Sequence, residues 1–198
     1  SVAQTKKGFD NIDHLGNRRV RRVGELVGMY GVRVGMMRVE RDTKGRMSLI
    51  SAENEASPSQ MINPRPLISA LNSFLKTSQL STILDQTNIL SEIDNLRRLT
   101  VGGPGGITKN RASFSIRDIS PSQYGRICPI RSPEGPNIGV VTYLALYARV
   151  NEFGFIEAPY RRVVQNKGKM QVTDEILYLP PDDEENHYIT QSAVNQDD

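Results

Sequence analysis

The chain has 198 residues, 37% of them hydrophobic and 24% charged, with two histidines, one cysteine and no tryptophan. That length allows one large or two small domains with a real core, and the lone Cys128 excludes an internal disulfide framework and fits reducing, cytoplasmic surroundings. No apolar run approaches the about 20 residues of a membrane helix, and His14 and His187 are too far apart for a Cys/His metal cluster.

The net charge of +3 conceals segregation. Residues 1–46 carry eleven Lys/Arg against five acids, residues 97–131 carry seven against one, and residues 171–198 carry eight acids with no Lys or Arg. Local charge decides what a surface attracts, so two basic blocks point to phosphate or to a solvated basic face. The opening SVAQTKKGFD and the polar end read as those of a piece taken from a longer polypeptide.

In chain order, residues 16–40 read as a long helix, with Val20, Val23, Val27, Tyr30, Val34 and Met37 along one apolar seam. Beside it run Gly24, Gly28, Gly31 and Gly35, each costing a helix about 1 kcal/mol relative to Ala. They make sense if another element packs very close, or if the helix breaks near Tyr30-Gly31. Arg18, Arg19, Arg21 and Arg22 crowd the first turns, where cations oppose the macrodipole; an external anion compensates them, or they are solvated. Residues 51–62 are a polar connector, and Asn63-Pro64 opens a helix carrying Leu67, Ile68, Leu71, Phe74 and Leu75 on one face. Residues 78–95 read as two short helices around Thr87-Asn88. Gly135-Pro136-Asn137 leads into a buried helix reaching Val150. Strands follow in FGFIEAPYRRVV, GKMQVTDEILYLP and NHYITQSA. The outline is α+β: a helical first part, glycine- and proline-rich central loops and a β-rich C-terminal part. Four segments result: 1–52, basic and helical; 53–101, helical; 102–150, loops and the buried helix; and 151–198, β-rich with an acidic tail.

The organising stretch is Arg97–Gly139, with seven Gly, five Pro and little periodicity. Its scattered isoleucines and aromatics argue against disorder. Gly102-Gly103-Pro104-Gly105-Gly106 is neither a P-loop nor a Rossmann fingerprint; it is a structural turn or a close backbone approach to nucleic acid. Arg97, Arg98, Lys109, Arg111, Arg117, Arg126 and Arg131 charge the block, and arginine forks suit phosphate oxygens. Glu134 is a salt-bridge partner or a group aimed at a ribose hydroxyl or base edge. Asn137 is an N-cap or a polar reader. Cys128 reads as buried rather than nucleophilic. Asp85, Glu92, Asp94, Asp118 and Glu134 are scattered, with no tight pair for a two-metal site, and Asp182-Asp183-Glu184-Glu185 reads as a solvated loop. No catalytic residue and no metal ligand is assigned to this chain.

DNIDHLGNRRVRRVGEL, RVGMMRVER, SQLSTILDQTNILSEIDNLRRLTVGGPGGI, RDISPSQYGRICPIRSPEGPNIG and NEFGFIEAPYRRV closely resemble the bacterial RNA polymerase β-subunit family, collinearly from about Asp10 to Gln191. The resemblance implies a central fragment of a far larger subunit that lines the nucleic-acid channel during template-directed RNA synthesis. It implies that Gln79–Ile107 corresponds to the rifampicin-pocket region, with Thr82, Ile83, Asp85, Asn95, Arg98 and Thr100 as pocket positions. The stretch Gly102 to about Arg117 looks like fork loop 2, and SPEGPN is similar to the segment along the RNA–DNA hybrid. Arg97, Arg98, Lys109, Arg111, Glu134 and Asn137 are then the nucleic-acid-facing residues. Implied partners are the DNA template, the RNA transcript, the β′, α and ω subunits and a sigma factor, with catalytic magnesium held by β′ and no cofactor held here.

The chain also departs from the family pattern. Relatives usually carry Gln at Thr82, Phe at Ile83, Pro at Ile89, His at Asn95, Lys at Leu96 and Ser at Thr100. Glu-Thr-Pro is usual where Arg131-Ser132-Pro133 stands, and Arg where Lys109 stands. Several of these positions line the drug pocket, so weak rifampicin binding is expected.

Overall fold

A computed structural model describes residues 11–49, 57–108, 112–166 and 168–191. It is α+β, and it packs as two compact units, Arg21–Leu84 and a second made of Ser1–Val20 with Asp85–Asp198. These units are defined by packing, whereas the four segments above are stretches of composition.

In the unit Arg21–Leu84, α1 (Val23–Leu26) runs through a π-helical stretch, Val27–Val32, into α2 (Arg33–Leu49). The helix therefore starts later than residue 16 and continues past residue 40. Its start is delayed because Asn11–Asn17 form hydrogen-bonded turns and the Val20 amide donates to the Gly154 carbonyl at 2.7 Å, leaving Arg22 extended. Its extension is supported by Lys44–Glu40 and Arg46–Asp42 pairs one turn apart. Arg21 Nη1 donates to the Tyr30 hydroxyl at 3.3 Å.

Short α3 (Pro58–Met61) precedes α4 (Arg65–Thr77), whose first amide donates to Asn63 Oδ1 at 3.1 Å. Gly31 and Gly35 are buried, and a Cβ on Gly35 would stand 2.9 Å from Leu67 Cα in α4. Gly31 and Gly35 thus serve a close helix–helix contact, whereas Gly24 and Gly28 face open space. The expected break near Tyr30-Gly31 is corrected to a π-helical stretch through which the helix continues. Gly35→Ala should destabilise this packing by about 1 kcal/mol or more, overpacking outweighing helix propensity. Gly45→Ala, with open space around it, should stabilise α2 by up to about 1 kcal/mol. Hydrogen exchange of the α2 and α4 amides in the full-length subunit reads both signs.

The expected pair of helices over 78–95 is corrected to one. Ser78 ends α4 in extended geometry, and Ser81 Oγ returns to the Phe74 carbonyl at 2.9 Å, closing a turn instead. Asn88 then caps α5 (Ile89–Leu96), its Oδ1 accepting from the Ser91 amide at 2.8 Å.

The second unit continues with β1 (Arg98–Thr100), α6 (Phe114–Arg117), β2 (Val141–Tyr143), β3 (Arg149–Val150), β4 (Ile156–Asn166), β5 (Lys169–Leu179) and α7 (Pro181–Glu184). Here the expected helix over 138–150 is overturned. Gly135–Asn137 is a 3₁₀ turn, and β2 and β3 follow it. β-branched Val140, Val141 and Thr142 suit a strand, and β2 finds non-local partners on both sides: β1 on one, and the Cys128 amide, 2.9 Å from the Tyr143 carbonyl, on the other. Strands β3, β4 and β5 form an antiparallel sheet in that order, with an irregularity between Arg161 and Val163. The third expected strand is absent among the described residues 186–191.

The centre of this unit is Arg126, which is fully buried. Its Nε donates to the Ile156 carbonyl at 3.1 Å, Nη1 to Ser122 and Tyr124 carbonyls at 3.3 and 3.2 Å, and Nη2 to the Leu179 carbonyl at 2.7 Å. Nη2 also pairs with the Glu184 carboxylate of α7, while Glu185 meets His14 Nε2 at 3.1 Å. The acidic run is therefore not simply a solvated loop. Two of its carboxylates join α7 to the rest of the unit.

Burial, then the neighbouring Glu184 carboxylate, pushes the Tyr160 phenol up to about 12 from 10.0. The folded value lies above the unfolded one, so this contribution is complete below pH 10 and is lost as pH rises towards 12. Urea-unfolding midpoints should fall through that window, and Tyr160→Phe should flatten the fall.

Candidate nucleic-acid interface

The interface is built around the antiparallel β1–β2 ribbon, in which Arg98 faces Tyr143, Leu99 faces Thr142 and Thr100 faces Val141. Directly opposed residues share a face, so Arg98 and Tyr143 stand side by side. α5 delivers the chain into this ribbon, and Leu144 donates back to the Arg97 carbonyl at 3.1 Å.

Beyond Thr100 the glycine turn closes on itself. The Gly102 amide donates to Thr100 Oγ1 at 3.1 Å, Gly106 to the Gly103 carbonyl at 2.9 Å, and Ile107 to the Val101 carbonyl at 3.0 Å. Gly103 and Gly105 have φ of 101° and 73°, left-handed values that disfavour any side chain. A Cβ on Gly106 would stand 2.4 Å from the Val101 carbonyl oxygen. The structural role of these glycines is thereby established.

The seven cations of the block divide sharply. Arg126 is buried in the core. Arg97 Nη2 donates to the Ala145 and Leu146 carbonyls, the latter at 3.0 Å. Arg117 Nη1 donates to the Pro136 and Ile138 carbonyls. Arg131 pairs with Asp94 at 2.8 Å and lies over the Tyr143 ring, 4.7 Å from its centre. The Asp94 charge raises the Arg131 pKa further. Arg98 is exposed and forms no ion pair among the described residues. Lys109 and Arg111 lie outside the described residues. Composition counted all seven as available charge; the structure commits four of them to internal bonds. No periodic signal in the sequence separates the two kinds.

Glu134 is exposed, precedes the Gly135–Asn137 turn without capping it, and pairs with no cation among the described residues. Asn137 caps no helix, because none follows. Its Oδ1 is buried without a hydrogen-bond partner. Cys128 is half-buried, and its Sγ accepts from the Arg131 amide at 3.4 Å.

Of the six positions that the resemblance likens to a drug pocket, Thr82 and Ile83 close the unit Arg21–Leu84, with Ile83 95% exposed. The other four belong to the second unit. Asp85 accepts from the Thr87 hydroxyl at 2.7 Å and the Thr87 amide at 3.1 Å, which hold its carboxyl below the usual range. Asn95 is half-buried in α5, and Arg98 and Thr100 are exposed two residues apart on β1. Among the described residues no group of three or more His, Cys, Asp or Glu could hold a metal ion.

Residues 82–150, which contain this ribbon and both loops, match the family described as RNA polymerase Rpb2, domain 3. That match sets the class: a piece of a large RNA polymerase subunit. The chain is 53% identical over 185 residues, 93% of its length, to the DNA-directed RNA polymerase subunit beta of Geobacillus thermodenitrificans. It is 50% identical over 98% of its length to that of Chelativorans, and 50% over 96% to that of Bartonella henselae. The matches span 15%, 14% and 13% of those relatives. The chain belongs to the bacterial RNA polymerase β-subunit family and corresponds to a short stretch of such a subunit.

Proposed function

We propose that this chain lines the nucleic-acid channel of an assembled DNA-dependent RNA polymerase, along the path of the RNA–DNA hybrid. The observation that carries the reading is the pairing of a braced platform with exposed charges that form no ion pair among the described residues. Arg97, Arg117 and Arg131 hold the ribbon and loops in place, while Arg98 and Glu134 remain open to solvent. Rigid elements presenting unpaired polar groups suit an external polar ligand, and an exposed arginine suits a phosphate. In this reading Arg98, with Lys109 and Arg111, contacts backbone phosphates, Arg97 braces the backbone of Ala145 and Leu146, and Glu134 and Asn137 approach the growing RNA end.

The proposed partners are template DNA, transcript, and the β′, α, ω and sigma subunits, in a cytoplasmic enzyme. Nucleotidyl transfer belongs to the assembly, where magnesium on β′ stabilises attacking and leaving oxygens. The described carboxylates of this chain do not converge as ligands, so no step is assigned to a metal here.

A cross-link tests the reading. The full enzyme carrying this segment is stalled on a scaffold whose RNA ends in a photoreactive 3′ nucleotide. Adducts should map within residues 82–137. Adducts confined to other subunits, with the segment folded, would leave it a scaffold for subunit docking.

A further inference from the structure

The loop containing Glu134 and Asn137 has few ties of its own. Ile138 donates to the Gly135 carbonyl at 3.2 Å and Val140 to the Asn137 carbonyl at 3.1 Å. Its other support comes from Arg117 on α6. There Nη1 donates to the Pro136 and Ile138 carbonyls, both at 2.8 Å, so one side chain grips the backbone on either side of Asn137. The second tie is Gly139, at φ 71°, where a Cβ would stand 2.4 Å from Arg117 Cα and 2.6 Å from its carbonyl oxygen. The loop lies flush against the backbone of the residue that grips it. On the same loop, Asn137 Oδ1 is buried without a hydrogen-bond partner, and Glu134 is exposed. Buried polar atoms normally find partners.

We propose that Arg117 is the positioning residue of this loop, setting where Glu134 and Asn137 stand relative to the growing RNA end. The proposal rests on the RNA-facing reading of the loop given above. Arg117 acts through the Pro136 and Ile138 carbonyls and touches no nucleic acid itself. Both bonds use the two hydrogens of Nη1, whose direction is fixed by the planar guanidinium, so little freedom is lost in making them.

The test uses full polymerase assembled with the unaltered chain, with Arg117→Lys and with Arg117→Gln. Each is stalled with a photoreactive RNA 3′ nucleotide, adducts on residues 132–139 are mapped, and KM and kcat for the next nucleotide are measured separately. The unaltered enzyme should cross-link to the loop. Arg117→Gln should lower that yield and raise KM about tenfold with a smaller change in kcat, since displacement of about 1 Å is costly at a positioned site. Arg117→Lys, which keeps the charge and several donors on a shorter stem, should fall between. If Arg117→Gln does not assemble, Arg117→Lys decides alone, and a KM equal to that of the unaltered enzyme overturns the proposal. A loss of assembled enzyme with normal KM in what remains marks a merely structural brace and also overturns it. Absence of loop adducts in the unaltered enzyme overturns the RNA-facing reading and the proposal with it. Adducts that persist equally in both variants overturn the role of Arg117 alone.

Discussion

Arg126→Met should cost the second unit on the order of 3–5 kcal/mol, because it strips a buried carboxylate and four carbonyls of their shared partner. A single domain holds only about 5–15 kcal/mol in total, so the full-length subunit should lose most of its soluble, assembly-competent form. The carbonyls of Ser122, Tyr124, Ile156 and Leu179 come from the Pro121–Gln123 turn and its continuation, the start of β4 and the end of β5. Glu184 adds α7, its side chain only 18% exposed. Arg126→Lys should fare little better, since an ammonium cannot reach acceptors spread around a planar fork. Arg126→Met combined with Glu184→Leu should recover part of the loss, because the second change removes the stranded charge. Thermal unfolding and subunit assembly read all three variants. A loss below about 1 kcal/mol for Arg126→Met would show that the buried network contributes little.

That residue also marks where reading the sequence stops. Helix α4 was legible because Asn63-Pro64 signals a start and the apolar stripe has helical spacing, and Asn63 does accept from the first amide. The β4–β5 hairpin was legible from its alternating, β-branched runs. The α+β class followed from these local patterns. The ribbon β1–β2 was hidden, since each strand is three residues long and each is specified by a partner more than forty positions away. Ile138, Val141, Ala145 and Ala148 happen to fall at helical spacing, and for short apolar runs periodicity alone does not arbitrate. The candidate block was visible as a charge-rich, glycine-rich stretch. Which of its arginines point inward was not, because burial of Arg126 depends on carbonyls and a carboxylate contributed by four separate segments.

The larger functional effect concerns rifampicin. An assembled polymerase carrying this segment should resist the drug, and the triple change Thr82→Gln, Asn95→His and Thr100→Ser should restore sensitivity. Those replacements are the side chains that the family resemblance places at these positions. Two of the pocket-like positions, both in the second unit, bear on the expectation. Thr100 Oγ1 already accepts from the Gly102 amide. One oxygen of the Asp85 carboxylate, Oδ1, accepts two donors from Thr87. Polar capacity at both positions is thus partly spent within the chain, and Thr82 lacks the reach of the glutamine amide. Each hydrogen-bond partner lost from a desolvated ligand costs about 1–3 kcal/mol, or roughly 5- to 150-fold in affinity. Neighbouring losses are not fully additive, yet the two partners missing at Thr82 and Asn95 together leave about a thousandfold gap between the unaltered and triply changed enzymes. Dose–inhibition curves on reconstituted transcription complexes measure that gap directly. Inhibition of the unaltered enzyme at submicromolar drug would show that the remaining groups suffice, with Arg98 then the first residue to change. A wide gap closed mainly by Thr82→Gln would locate the missing contact in the amide, since Thr100→Ser alters only a methyl group beside a hydroxyl already in use.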